Sequence, residues 1–229
     1  MKELKQLEKN LGVQFKNLDM LTQAVVHRSY LNEHPSFALG HNERLEFLGD
    51  AVLEIVVTEY LYNNFPNPEG ELTNLRAALV NFKMLSDIAR ELELEDYLYM
   101  SHGEAKDKDS KARQAILANA IEAVIGAIYL DLGEAVSKDF ILRVVVSKLP
   151  HVLANQLHID PKSKFQELSQ EKFGVTPSYR VMNEQGPDHA KEFTVGVYIG
   201  NELVATGDGT SKQDAQIQAA AKALEVKGW

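Results

Sequence analysis

"HNERLEFLGDAVLEIVVTEYLY", residues 41–62, reads as about six turns of helix with no Pro and a single Gly inside. At about 100° per residue, Glu43, Glu46 and Asp50 fall within about 60° of one another, and Glu54 continues the stripe by one turn. Leu45, Phe47, Leu48, Val52, Leu53, Ile55, Val56 and Val57 occupy the rest of the wheel, which predicts a largely buried helix. Like charges beside a core are costly unless hydrogen-bond donors or cations meet them. Three arrangements satisfy the acids: ion pairs with Arg44 or another arginine, a stripe that faces water, or a divalent cation.

A second apolar stretch, "AILANAIEAVIGAIYL" at 115–130, carries Asn119 and Glu122 one turn apart on one face, with no other strongly polar side chain. Sixteen residues with a central Glu make a poor membrane span and a good core helix. An all-oxygen set without Cys, and without His at this spacing, favours Mg²⁺ or Mn²⁺ over zinc. Such a cluster suits phosphodiester hydrolysis. From ligand chemistry alone, a nuclease, a phosphatase and a diphosphate-processing helical enzyme all remain open.

The 229 residues are 45% hydrophobic and carry a net charge of −9, which speaks against a generic nucleic-acid binder. Cysteine is absent, in keeping with a reducing cytoplasm, and "MKELKQLEKNLG" lacks the apolar run of a signal peptide. Helical periodicity continues to about residue 149, broken at "NEHPSFALGHN", "NNFPNPEGE", "SHGEAKDKDSKA" and "DLGEA", with no convincing strand. Pro150 then follows a last helix near 136–149, and "PHVLANQLHIDPKSK" reads as a linker. Beyond it come a helix at about 161–173, three alternating segments and an Ala-rich helix from about Ser211 to Val226. Gly200-Asn201 forms a tight turn between the second and third segments. The predicted fold is mainly α: an all-helical domain over 1–155, a linker near 150–160, and an α-β-β-β-α domain over 156–229.

"HNERLEFLGDAVL" closely resembles the signature segment of bacterial ribonuclease III. The resemblance extends through "HRSY" (27–30), "EGELTNLRAALV" (69–80) and "ILANAIEAVIGAIYLD" (116–131). "DPKSKFQELSQEKFG" through "GDGTSKQDAQIQAAAKAL" resembles the double-stranded RNA-binding domain of that family. The resemblance implies an endoribonuclease that cuts double-stranded RNA by Mg²⁺-dependent hydrolysis. It also implies 5′-phosphate and 3′-hydroxyl ends with short 3′ overhangs, and work in RNA processing such as ribosomal RNA maturation. It places metal binding on Glu46, Asp50 and Glu122, further cleft acids at Glu43 and Glu69, and a homodimer contact at Phe47. Glu69 falls in a predicted loop.

Asn119 departs from the family, which usually has Asp there. A neutral carbonyl oxygen replaces a charged one, and the NH₂ must turn away from a cation. Asn119 either still ligates through its oxygen, with weaker Mg²⁺ binding, or leaves a protein that holds double-stranded RNA without cutting it. A small-molecule phosphohydrolase is disfavoured by the lack of a His-Asp dipeptide and by the second domain. In that domain the resemblance implies RNA contacts at Lys164, Gln166 and Glu167, at His189 in "GPDHAKEF", and at Ser211 and Lys212, reading duplex shape rather than sequence. Gln213 and Asp214 stand where basic residues are expected. Residues 159–229 hold 8 Lys and Arg against 10 Asp and Glu, so the remainder carries −7 of the net charge. Weak, strongly salt-dependent RNA binding follows.

Overall fold

The structure, a computed structural model, describes residues 4–106, 110–187 and 191–229. It divides into two compact units, Met1–His158 and Ile159–Trp229.

Two 22-residue helices form the axis of the first unit: α4 (Glu43–Asn64) and α8 (Lys111–Leu132). Acids in the first turn of α4 suit the positive end of its dipole, and "NNFPNP" stops it at Phe65. Ser110 caps α8 by accepting from the Arg113 backbone N–H at 3.1 Å, and Gly133, at φ +93°, ends it. α8 is long and apolar enough to cross a membrane, yet its middle is packed inside the unit, with Leu117, Ala120, Ile121, Val124, Ile125 and Ile128 inaccessible. It is a core helix.

Around this pair lie α1 (Leu4–Leu11), α2 (Leu18–Ala24), α3 (Arg28–Glu33), α5 (Glu69–Val80), α6 (Phe82–Glu91), α7 (His102–Lys106), α9 (Glu134–Val144) and α10 (Leu149–Ala154). One isolated bridge, Val26 to Tyr99, is the only β pairing among the described residues of this unit. Pro150 does not end the helical region. It sits in the first turn of α10, where its missing N–H costs nothing, and Leu149 and Val152 join the core. Much of the predicted linker is therefore helix. Glu69, expected in a loop, is the first residue of α5, behind Pro68.

The expectation that α4 is largely buried fails on one stripe. Phe47, Ile55 and Tyr62 are 82%, 64% and 77% exposed, and Ala51 lies open between them. These positions share one face, so periodicity concealed an unpartnered apolar stripe among the core positions.

In the second unit Asp160 caps α11 (Pro161–Phe173), accepting from the Ser163 N–H at 2.9 Å, and Gly174 ends it in the left-handed region. Strands β1 (Ser178–Gln185), β2 (Glu192–Ile199) and β3 (Glu202–Gly209) form an antiparallel sheet in sequence order. α12 (Lys212–Lys227) lays Ala215, Ala219, Ala220 and Ala223 on it, around Phe165 and Val197. The alanines permit close approach: a Cβ on Gly207 would stand 2.2 Å from the Ala219 nitrogen.

Candidate active site

The acids converge because α4 and α8 touch backbone to backbone. A Cβ on Gly49 would lie 1.7 Å from the Glu122 carbonyl oxygen, and one on Gly126 would lie 2.2 Å from the Leu45 oxygen. Only paired glycines permit this crossing. It sets Glu46 and Asp50, on either side of Gly49, against Asn119 and Glu122. The sequence signal was present: each glycine interrupts a helix that otherwise favours larger apolar residues.

The electrostatics follow from this geometry. Burial, and then the charges of Asp50, Glu46 and Glu54, push the Glu122 carboxyl up to about 8. Burial, with Glu43 and Asp50 adding to it, also raises Glu46, against a hydrogen bond from Asn119 that favours its charged form. An Asn119 NH₂ turned toward Glu46 leaves the carbonyl oxygen as the group available to a cation.

Arginines satisfy the ends of the stripe but not its middle. Arg28 stands 3.6 Å from Glu43, and Arg76 stands 2.9 Å from Glu54 while donating to the Thr58 hydroxyl at 2.9 Å. Among the described residues no Lys, Arg or His ion-pairs with Glu46, Asp50 or Glu122. Nor do three acidic or histidine side chains already form a ligand cage. Three uncompensated carboxylates and one amide oxygen fit a hard divalent cation: its charge removes the repulsion that raises Glu122, and modest side-chain rotation supplies the ligands. A cavity of about 760 Å³ opens beside them, lined by Glu43, Glu46 and Asn119 together with His27, Arg28 and Asn32. Sequence reading quoted His27 and Arg28 within "HRSY" but gave them no role.

Glu69 is not brought to this cluster within one chain. It lies with Thr58, Leu61, Tyr62 and Arg76 near the far end of α4, about 16 Å along the axis from Asp50 at 1.5 Å per residue. Phe47 projects from α4 into solvent, so core packing is not its role.

In the second unit Lys164 is half-buried on α11, and Gln166 and Glu167 are exposed beside it. Ser211 caps α12 by accepting from the Asp214 N–H at 3.1 Å, and its hydroxyl donates to the Asp214 carboxylate at 2.8 Å. Asp214, unexpected as an RNA contact, thus completes a cap. Lys212 follows, 3.9 Å from Glu184 and over the Phe193 ring. His189 lies outside the described residues.

A family model described as Ribonuclease-III-like matches residues 17–149, and one described as Double-stranded RNA binding motif matches 161–227. The chain is 45% identical over 221 residues to Ribonuclease 3 of Carboxydothermus hydrogenoformans, covering 96% of this chain and 94% of that one. It is 42% identical over 226 residues to Ribonuclease 3 of Dehalococcoides mccartyi, covering 98% and 95%. Among solved structures, the nuclease domain of ribonuclease III from Campylobacter jejuni, described for flexibility in a region involved in dimer formation, superposes with a TM-score of 0.58 at 42% identity. That match covers 65% of this chain and 99% of that one.

Proposed function

The chain belongs to the ribonuclease III family and is an endoribonuclease of double-stranded RNA; from that premise we propose that it cuts with Mg²⁺, or Mn²⁺ as a substitute, held by Glu46, Asp50, Glu122 and the carbonyl oxygen of Asn119. The observation that carries the metal reading is the uncompensated middle of the acidic stripe: Glu46 and Asp50 have no ion-pair partner among the described residues, they help to push Glu122 on α8 up to about 8, and Glu46 with Asn119 lines an open cavity. Bound there, a divalent ion supplies an activated water and neutralises charge on the phosphoryl group. The chain's own residues do the rest. Gly49 and Gly126 fix the spacing of the ligand-bearing helices. Asn119 orients Glu46, and Glu122 gives up its proton to become a ligand. Arg28 holds Glu43 at the mouth of the cavity.

Two copies pair through the exposed α4 stripe, with Phe47 packing into the partner. This reading draws support from 82% exposure of a Phe that has no cover within its own chain. Two clefts then cut opposite strands, leaving 5′-phosphate and 3′-hydroxyl ends with short 3′ overhangs. The nuclease domain spans 1–155 and the RNA-binding domain 156–229. The latter holds the duplex through Lys164, Gln166, Glu167, His189, Ser211 and Lys212; Glu43 completes the catalytic acids of its own cleft, and Glu69, far from that cleft within one chain, joins a cleft only across the dimer. The setting is cytoplasmic RNA processing, including ribosomal RNA maturation, with no membrane partner.

The test is a duplex RNA incubated with the full chain in Mg²⁺, in Mn²⁺ and in chelator, with the product ends mapped and the solution mass measured. Cleavage only with metal, overhanging 5′-phosphorylated products and a mass of two chains are expected. A stable RNA complex with no products at any Mg²⁺ concentration would reinstate the non-cutting binder, which rests on Asn119 alone. An active monomer would defeat the two-cleft account.

A further inference from the structure

The cavity beside the acids has a second wall, built from the turn leading into α3, and one side chain on it is fixed in a single protonation pattern. His27 precedes α3, and its Nδ1 accepts from the Ser29 backbone N–H at 3.3 Å. The same Nδ1 lies 2.8 Å from the Ser29 hydroxyl. The backbone N–H can only donate, so Nδ1 is an acceptor and the Ser29 hydroxyl, itself held by the Ser101 N–H at 3.0 Å, turns its proton to the same nitrogen. Two donors on Nδ1 force the ring proton onto Nε2. The backbone is braced as well: the His27 N–H donates to the Tyr99 carbonyl at 2.9 Å, and the Asn42 N–H donates to the Val26 carbonyl at 2.9 Å. Among the described residues Nε2 has no protein partner, and the ring lines the cavity that Glu46 and Asn119 also line.

Burial, ahead of the neighbouring charges, holds this imidazole below its ordinary pKa, so it is neutral near pH 7. It is then a fixed donor with no charge, next to Arg28, an exposed cation held by Glu43. Glu43, Glu46 and Glu104 contribute carboxylates to the same cavity and repel an anion from their side. A phosphate is therefore accepted only where His27 and Arg28 face it, or where a cation covers the acids.

We propose that His27 is a substrate-binding residue, donating from Nε2 to a phosphate oxygen of the RNA strand lying in the cavity. Arg28 is the charged partner of that phosphate, and Ser29 is a positioning residue that sets the tautomer. The proposal rests on reading the cavity as the RNA-cleaving site. It separates two kinds of contact: a neutral one at His27, independent of salt, and an ionic one at Arg28 that releases counterions.

The experiment is steady-state cleavage of one duplex RNA in Mg²⁺ by the full chain, as wild type, His27→Asn, Arg28→Gln, Ser29→Ala and the His27→Asn/Ser29→Ala double variant, at several salt concentrations. Asn caps a helix well, so His27→Asn keeps the cap but cannot reach where Nε2 stood. It raises KM about tenfold with kcat within about twofold, as loss of a hydrogen bond to a charged group predicts, and leaves the salt slope unchanged. Arg28→Gln lowers the salt slope by about one. Ser29→Ala raises KM by less than His27→Asn does and adds nothing in the double variant. An unchanged KM in His27→Asn at unchanged melting temperature, or additive effects of the two substitutions, overturns the proposal. A wild-type chain that does not cut overturns the reading of the site instead. His27 is then judged by equilibrium binding of the same duplex, where His27→Asn must still weaken affinity.

Discussion

Replacing Gly49 by Ala sets two physical effects against each other with opposite signs. Within a helix Ala is favoured over Gly by about 1 kcal/mol, so propensity alone predicts stabilisation. The crossing predicts the reverse. The new methyl would stand 1.7 Å from the Glu122 carbonyl oxygen, 2.6 Å from its carbon and 2.9 Å from the Gly126 nitrogen. All three are backbone atoms, so no rotamer change relieves the clash, and α4 and α8 must separate by about 1.5 Å to reach ordinary contact. Core residues on both sides of the crossing, among them Leu53, Val124 and Ile125, then lose packing. Overpacking costs about 1–3 kcal/mol even where side chains can yield, and a rigid backbone lies at or above the top of that range. After the propensity gain, a net loss of about 3 kcal/mol is expected, or about 6–12 °C in the melting temperature of a domain this size. The assay is calorimetry on the full chain, with the second unit's transition as an internal reference. Gly70→Ala is the control: it lies in α5 with nothing within 4 Å of its Cβ position, and should leave the melting temperature unchanged or raise it by up to about 4 °C. The Mg²⁺ concentration for half-maximal cleavage should rise in Gly49→Ala, because its ligands sit on the displaced helices. A Gly49→Ala protein as stable as wild type would refute the close crossing.

Glu122 binds its proton more tightly folded than unfolded, about 8 against 4.5, so the native state carries the extra proton between those values. Without divalent metal, stability therefore falls as pH rises from about 5 to 8, by on the order of 2 kcal/mol after allowance for partial exposure. Glu122→Gln should flatten that slope in melting curves, and a slope equal to wild type would contradict the assignment. Asn119→Asp adds a charge beside Glu46 and Glu122, and should lower both the Mg²⁺ concentration for half-maximal cleavage and the metal-free melting temperature. Unchanged Mg²⁺ dependence would remove Asn119 from the ligand set. Lys212→Ala should reduce the salt slope of duplex binding by about one, and Ser211→Ala should cost about 1 kcal/mol of stability in the second unit; equilibrium binding and urea unfolding measure these.

Architecture and acid cluster were legible because both are periodic signals. Glu46 and Asp50 on one helix, and Asn119 and Glu122 on another, each fall on a single face by helical geometry alone. The α-β-β-β-α order followed from a change of period from 3.6 to 2 and from the Gly200-Asn201 turn, where Gly200 adopts φ +60°. What periodicity could not give was the partner of each face. Phe47 and Ile55 have the hydrophobicity of core residues, and only the packed structure shows that nothing in the chain covers them. Glu54 continues the acidic stripe on the wheel, but Arg76, on the following helix, claims it. His27 was invisible for a related reason: the cap it makes on Ser29 is local, but the Ser29 hydroxyl beside it is held by Ser101, 72 residues further along the chain.

The three faces of α4 also explain why the cluster sits where it does. One face, with Gly49 at its centre, is pressed onto α8. A second carries Glu43 and Glu46 to the cavity with Asp50 one turn beyond, and a third presents Phe47, Ile55 and Tyr62 outward. Packing against α8 makes the acids costly, because it buries Glu46 and Glu122 beside one another and raises both. At the proposed metal site the same burial would give a divalent cation its advantage over water and monovalent salt, since the penalty it removes exists only in the folded crossing. A wider crossing would relieve the carboxylates and lose that advantage. On that proposal helix spacing, set by two glycines, governs metal affinity as directly as the proposed ligands do, and a conservative change at Gly49 or Gly126 should damage cleavage without touching any of them.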